Sequence, residues 1–114
     1  MDKNNKVIKQ MLFQKLMEEN ALWSYNIERN NPENINDEIL IVKTLTHLDL
    51  AEIDLLFTIY PFYKIKKIWR EQMAVSTEYN YTLNKFLAWK YFNVKEPKKY
   101  LRTLESKHIK EISR

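Results

Sequence analysis

Residues 37–73 decide the fold class of this chain, and they read DEILIVKTLTHLDLAEIDLLFTIYPFYKIKKIWREQM. Apolar side chains recur through this stretch at helical spacing, and two signals divide it. The first is the pair Asp49 and Glu52, which has the spacing of a capping box with Asp in place of Ser or Thr. The second is Pro61, because a first-turn proline loses no hydrogen bond. The stretch predicts three consecutive helices, over 38–48, 50–60 and 62–73.

The first of these three segments leaves an alternative open. It contains Ile39, Leu40, Ile41 and Val42 in succession, and a run this rich in β-branched residues is also typical of a strand. We favour a helix because no glycine hairpin follows and because the next segment begins with a capping signal. Asn36 or Asp37 supplies the corresponding start, since a short side-chain oxygen accepts a free first-turn N–H.

Helical spacing continues on the N-terminal side of this stretch. Residues 3–20 place Val7, Met11 and Leu12 along one stripe, which is interrupted by Lys15. Between this helix and the central stretch, residues 26–36 hold five Asn and one Pro, a composition typical of a loop.

On the C-terminal side, Ser76 is expected to cap a helix over about 77–92. Asn93 follows it, and we expect a left-handed residue there, where glycine usually ends a helix. Pro97 is expected to open a last short helix. The charged tail at 106–114 is expected to fray.

These segments predict an all-α fold, a compact bundle of five or six helices with a helix-turn-helix-like central trio. The 114 residues include no glycine, and β-rich folds need glycine at tight turns and bulges, whereas glycine destabilises helices. At this length we expect a single helical domain, 1–114. Its expected parts are an N-terminal helix and aromatic exit at 1–25, a loop at 26–36, a helical core at 37–105 and a charged tail at 106–114.

The missing residue types exclude several classes of site. Without glycine the chain cannot form a phosphate-binding loop, a dinucleotide fingerprint or a nucleophile elbow. Without cysteine it has no disulfide, thiolate metal site or cysteine nucleophile. The N-terminus lacks the apolar core of a secretory signal, and no apolar run approaches membrane length. We therefore expect a cytoplasmic protein without a cofactor.

One polar cluster has spacing that a metal site could use. His47, Asp49, Glu52 and Asp54 follow the pattern H-x-D-x-x-E-x-D, and such side chains bind divalent cations. We favour a structural interpretation, because Asp49 and Glu52 suit a helix start and the helix dipole favours a cation at His47. We therefore predict no metal site and no catalytic residues.

Charge is distributed unevenly along the chain. Residues 1–60 carry a net charge of −4 and residues 61–114 carry +8. Basic side chains interleaved with Tyr are typical of phosphate contact, and the chain offers such a set as candidate contacts for a partner or a nucleic acid. Its members are Tyr63, Lys66, Lys67, Arg70, Lys98, Lys99 and Arg102. We favour a solvated lysine face over DNA contact, because such faces are common on the helices of soluble proteins.

Aromatic side chains supply a second candidate surface. Phe13, Met17, Trp23 and Tyr25 could together form an exposed protein-interface patch, since Trp and Tyr are enriched at interfaces. Packing in the core is the favoured alternative for them. The remaining large aromatics lie at helical spacing and are expected in the core; they are Trp69, Phe86, Trp89 and Phe92.

The central stretch also carries a family resemblance. Residues 37–73, followed by LNKFLAWKYFNV at 83–94 and preceded by ALWSYN at 21–26, resemble a family of small helical bacterial proteins. Members are often encoded beside nucleotidyltransferase-type toxins, and by that context they resemble antitoxins. The resemblance implies a helical adaptor with a toxin as its protein partner, and it transfers no functional residues.

The sequence therefore predicts a non-enzymatic module that binds a macromolecule, as an antitoxin-like protein-interaction partner. The alternative is a DNA-binding helical regulator that uses the basic C-terminal half. An enzyme that acts through His47 and its neighbouring carboxylates is the third hypothesis.

Overall fold

A computed structural model describes residues 3–19, 35–75 and 80–112. These ranges contain six α-helices and no strand, which confirms the all-α prediction. Within them, no helix combines the length and the apolar character that a membrane crossing requires. The helices are α1 (Lys3–Glu18), α2 (Asp37–His47), α3 (Leu50–Ile59), α4 (Phe62–Trp69), α5 (Tyr81–Lys90) and α6 (Pro97–Ile112), and a π-helical segment (Arg70–Ala74) follows α4 directly.

The first residues of α2 and α3 differ in how the free backbone N–H groups are capped. The Asn36 side chain accepts a hydrogen bond from the backbone N–H of Glu38 at 2.7 Å, which is the cap expected for a helix. The helix prediction for this segment is thereby confirmed. Asp49 occupies the corresponding position before α3, but its side chain makes no capping hydrogen bond. The Asp49 half of the predicted capping box is therefore not formed. The carboxylate of Glu52 is bonded to Lys15 on α1, and the backbone N–H groups of Glu52 and Asp49 also lower its pKa.

Pro61 separates α3 from α4 as the sequence predicts. Proline disfavours helical geometry in the residue before it, and Tyr60 accordingly has extended φ and ψ of −125° and 145°. The carbonyl oxygen of Pro61 then accepts hydrogen bonds from the N–H groups of Lys64 and Ile65. One residue thus ends α3 and starts α4.

The C-terminal helices depart from the expected bounds. Asn93 has φ of 57°, so the predicted left-handed residue is confirmed. Asn80 also has positive φ, 58°, and this starts α5 at Tyr81 rather than near residue 77; Ser76 itself lies outside the described residues. The last helix is longer than expected and continues as far as Ile112; the fraying of the tail from residue 106 stays a prediction.

Contacts group the chain into two units, Met1–Ile65 and Lys66–Arg114, with the boundary inside α4. The first unit has seven basic and ten acidic side chains, a net charge of −3, and the second has twelve and five, a net charge of +7. The charge asymmetry of the sequence is therefore also a difference between the two units. The single-domain prediction stays a prediction.

In the first unit, α1, α2 and α3 pack against one another. Their buried faces are aliphatic with one aromatic ring, and they comprise Leu12, Phe13, Leu16, Leu40, Ile41, Leu45, Ile53 and Leu56. Burial of these side chains is the main term that stabilises the unit, since each fully buried large apolar side chain contributes about 1.5–3 kcal/mol.

Two polar links join these helices at the edge of the apolar core. The Nζ atom of Lys15 lies 2.7 Å from Oε1 of Glu52, which connects α1 with α3. The carboxylate of Asp37 accepts a hydrogen bond from the hydroxyl of Tyr60 at 2.6 Å. It also lies 3.6 Å from Nζ of Lys9 and 3.4 Å from Nζ of Lys64. Asp37 thus ties the start of α2 to α1 and to the chain around Pro61.

These links make the unit sensitive to acid. Burial opposes ionisation of Asp37, but the Tyr60 hydroxyl and two lysines outweigh it, so the pKa of Asp37 lies below its ordinary value. The hydrogen bond from Lys15 likewise lowers the pKa of Glu52. A carboxyl whose pKa is lowered in the fold stabilises it above the unfolded-state pKa and loses that effect as pH falls through the folded-state value.

We expect the urea midpoint to fall as pH drops below about 5, and to fall less in the double variant Asp37→Asn/Glu52→Gln. Neither replacement side chain takes up a proton in this range, so this part of the pH dependence is removed. Urea titrations followed by circular dichroism from pH 7 to pH 3 measure it. An equally steep decline in the double variant would show that these two carboxylates do not govern acid stability.

In the second unit, the π-helical segment packs with α5 and α6. Trp69 is fully buried, and its ring stacks on Phe92 with centroids 4.5 Å apart and on Tyr100 at 6.1 Å. The rest of the buried set is Ile68, Met73, Ala74, Leu87, Ala88 and Leu101. The indole ring of Trp69 therefore lies at the centre of the core of this unit.

A buried asparagine completes this core. The Nε1–H of Trp69 donates to Oδ1 of Asn84 at 3.1 Å, and Nδ2 of Asn84 donates to the carbonyl oxygen of Met73 at 3.2 Å. Met73 lies in the π-helical segment, where the regular α-helical hydrogen-bond ladder is interrupted. Asn84 thus supplies the acceptor for the buried Trp69 N–H, and it adds a donor to the Met73 carbonyl oxygen, which also accepts from the backbone N–H of Val75.

Candidate interaction surface

The polar cluster predicted from spacing does not assemble as a metal site. Among the described residues, no three His, Asp or Glu side chains come together in a group that could hold an ion. Burial lowers the pKa of His47 and the charge of Lys43 adds to this effect, while Glu19 opposes it. The carboxylate of Glu52 is bonded to Lys15, and Asp49 also raises the pKa of that lysine.

The predicted basic set is divided between the two units. Tyr63 is exposed and belongs to the first unit. In the second unit, Lys67 is exposed, whereas Lys66 and Arg70 are half-buried. These positions lie on α4 and on the π-helical segment that follows it.

The remaining members of the basic set lie together on α6. Lys98, Lys99 and Arg102 are all exposed in its first two turns. Arg102 is four residues from Lys98 and three from Lys99, which makes them neighbours on a helix surface. These three predicted contact residues therefore form one continuous cationic surface on α6.

The structure describes two members of the candidate protein-interface patch. Phe13 is only 2% exposed and packs in the core of the first unit, which agrees with the favoured core interpretation and excludes Phe13 from an exposed patch. The reason is that it lies beside Leu12 and Leu16 on the face of α1 that meets α2 and α3. Met17 is half-buried. The other two members, Trp23 and Tyr25, lie outside the described residues.

An exposed aromatic pair occurs instead on α5. Trp89 is 64% exposed and Phe86 is 37% exposed, although both were expected in the core with Trp69 and Phe92. The physical reason is the orientation of α5, whose buried positions are Asn84, Leu87 and Ala88. Trp69 and Phe92 are buried as expected.

Helical geometry then determines which residues share the outward side of α5. At 100° per residue, Thr82, Phe86 and Trp89 lie within about 60° of one another and opposite the buried Asn84. Lys85 lies on one side of this strip and Lys90 on the other. We call these five residues the α5 face.

The lysines of the α5 face are held close to the helix. Nζ of Lys85 lies 4.8 Å from the centroid of the Tyr81 ring, and Nζ of Lys90 lies 5.8 Å from that of Tyr91. Such cation–π contacts are each worth about 0.5–1 kcal/mol at exposed sites. The two positive charges therefore have preferred positions over Tyr81 and Tyr91, on opposite sides of the aromatic strip.

An open groove of about 300 Å³ lies where the chain enters α6. It is lined by Val94, Glu96, Lys99, Tyr100 and Thr103. Its lining combines one acidic and one basic side chain, so the groove itself favours neither sign of ligand charge. Lys99 also belongs to the exposed cationic surface of α6, so the groove borders that surface.

The sequence contains one signal that could predict the α5 face. Asn84, Leu87 and Ala88 have the i, i+3, i+4 spacing of a buried helical face, but the Asn makes this face look less apolar than the one with Phe86. Only the partners of Asn84 show why that face is inside. Comparison with protein families, with curated proteins and with solved structures found no match.

Proposed function

We propose that this chain is a non-catalytic macromolecule-binding module whose partner is a protein. The observation that carries the proposal is the exposure of Trp89 beside Phe86 on the outward side of α5. Large apolar side chains exposed next to one another keep a contiguous apolar area in water, and such areas are typical of binding surfaces.

The composition of the α5 face favours a protein partner. Aromatic residues are enriched in the centres of protein interfaces, and tryptophan above all contributes large shares of binding energy. Lys85 and Lys90 flank the aromatic pair, as polar residues surround the apolar centre of an interface. The resemblance of residues 37–73 to antitoxin-like proteins supports a nucleotidyltransferase-type toxin as that partner, in the cytoplasm of a bacterium.

The proposal is tested by purifying the tagged full chain from its native host at native expression level. We expect a partner protein in stoichiometric amount, identified by mass spectrometry and by sedimentation of the purified complex. If the tagged chain is recovered without a partner protein, even when it is purified at a concentration above that in the cell, the proposal is contradicted.

The charge of the second unit favours a second candidate function, sequence-tolerant binding of nucleic acid. The unit carries +7, and Lys98, Lys99 and Arg102 are exposed together on α6. Lysine and arginine side chains in such an array neutralise phosphates and release counterions, which makes binding strongly dependent on salt.

For this candidate, we expect the triple variant Lys98→Gln/Lys99→Gln/Arg102→Gln to weaken binding of a fluorescein-labelled 20-base-pair DNA. The slope of log affinity against log salt is expected to fall by about 3, because about one counterion is released for each phosphate contact. Fluorescence anisotropy at 50–200 mM salt measures it, with Lys6→Gln/Lys43→Gln on the first unit as the control. No binding by the wild-type chain at 50 mM salt would remove this candidate.

A further inference from the structure

We propose that α5 inserts its aromatic strip into an apolar groove of the partner protein whose two rims carry Asp or Glu side chains. This inference rests on the proposed function and names the chemistry of the partner at that site. It makes α5 the recognition helix and assigns Phe86 and Trp89 as its anchors.

The spacing of the exposed positions supports recognition of a helix by a groove. Thr82, Phe86 and Trp89 stand at i, i+4 and i+7, the spacing with which a helix places anchors along a groove. Phe86 and Trp89 are about 4.5 Å apart along the helix axis, so neighbouring subsites of one groove hold both rings.

The positions of the charges define the rims of the groove. Lys85 and Lys90 lie on opposite sides of the aromatic strip, and the rings of Tyr81 and Tyr91 hold their ammonium groups there. A partner that covers the strip places its own edges over both lysines. Charge complementarity then requires acidic side chains on both rims.

The same features disfavour a single-stranded nucleic acid on this face. Stacking of successive bases requires successive rings with free faces, and Phe86 is only 37% exposed. In addition, a single strand carries its phosphates along one backbone, whereas the lysines lie on both sides of the strip. A groove with two acidic rims matches both lysines at once.

Photo-crosslinking tests the inference with the full chain in its native host. Thr82→p-benzoylphenylalanine places the reactive group on the α5 face and leaves both anchors in place. Thr58→p-benzoylphenylalanine is the matched control, because Thr58 is exposed on α3 in the first unit. We expect an adduct with one protein from position 82 only, and the cross-linked peptide is expected to lie in a segment rich in Asp or Glu. A nucleic-acid adduct, or a peptide from a surface without carboxylates, would overturn the inference.

A third position separates failure of this inference from failure of the proposed function. Lys98→p-benzoylphenylalanine reports on α6. A protein adduct from position 98 with none from position 82 overturns the assignment of α5 and leaves a protein-binding module. If no position yields a protein adduct, both proposals fail.

Affinity measurements on the isolated complex complete the test. We expect Trp89→Ala to weaken the complex by about 30-fold, the loss typical of an interface hot spot. Lys85→Glu/Lys90→Glu is expected to weaken it by at least about tenfold, and Lys85→Arg/Lys90→Arg to preserve it, because the rims require charge. Equal affinity of the wild type and the Glu variant would overturn the assignment of acidic rims.

Discussion

Replacement of Asn84 by alanine is expected to lower the free energy of unfolding by about 2–4 kcal/mol. The variant leaves the Nε1–H of Trp69 without its acceptor in the core, and it removes one donor to the carbonyl oxygen of Met73, which keeps the backbone N–H of Val75. An unpaired buried group costs about 1–3 kcal/mol, and the truncated side chain leaves a cavity in addition. Urea denaturation followed by circular dichroism measures the loss.

Thr82→Ala is the control for this prediction, because it changes an exposed residue on the same helix. It is expected to alter stability by less than about 0.5 kcal/mol. If Asn84→Ala were as stable as Thr82→Ala, the hydrogen bonds of Asn84 would not hold α5 in the orientation described. That orientation puts Phe86 and Trp89 outside, so the result bears on the α5 face as well.

Phe13→Ala is expected to destabilise the chain by about 3–5 kcal/mol, as truncation of a buried phenylalanine typically does. The ring is 2% exposed and lies in the core formed by α1, α2 and α3. Equilibrium unfolding in urea measures the effect. The prediction distinguishes a core residue from the interface residue that the sequence also allowed.

Met17→Ala is the matched control, because Met17 lies one helical turn from Phe13 and is half-buried. Its truncation is expected to cost clearly less, since less apolar area leaves water at that position. If Phe13→Ala were as stable as the wild type but no longer bound the protein partner, Phe13 would belong to an interface and not to the core.

Helix ends could be predicted from the sequence where a single residue determines them. Asn36 caps α2 through its own side chain, and Asn93 adopts the left-handed conformation that ends a helix. Pro61 acts through the fixed geometry of its ring on the residue before it. These effects are local, so they do not depend on how helices pack.

Features that depend on a distant partner could not be predicted. The pattern places Glu52 at the start of its own helix, but it does not predict the bond from its carboxylate to Lys15, 37 residues away. Asn84 was not expected in the core, because only its bonds with Trp69 and Met73 make burial of an amide favourable. Once it is inside, Phe86 and Trp89 must face outward.

The central claim is that the α5 face binds a protein, and one comparison tests it most directly. The double variant Phe86→Ala/Trp89→Ala removes side chains that are 37% and 64% exposed, and Val7→Ala/Met11→Ala removes a pair on α1 that is 63% and 37% exposed. The two variants therefore truncate pairs of similar exposure, one on the proposed surface and one elsewhere.

The measurement is the amount of stoichiometric partner that each tagged chain retains when purified from the native host, after circular dichroism has established equal folding. We expect the Phe86/Trp89 variant to retain at least about tenfold less partner than the wild type, as loss of hot-spot side chains implies. The Val7/Met11 variant is expected to retain the wild-type amount. Equal recovery by all three chains would contradict the claim.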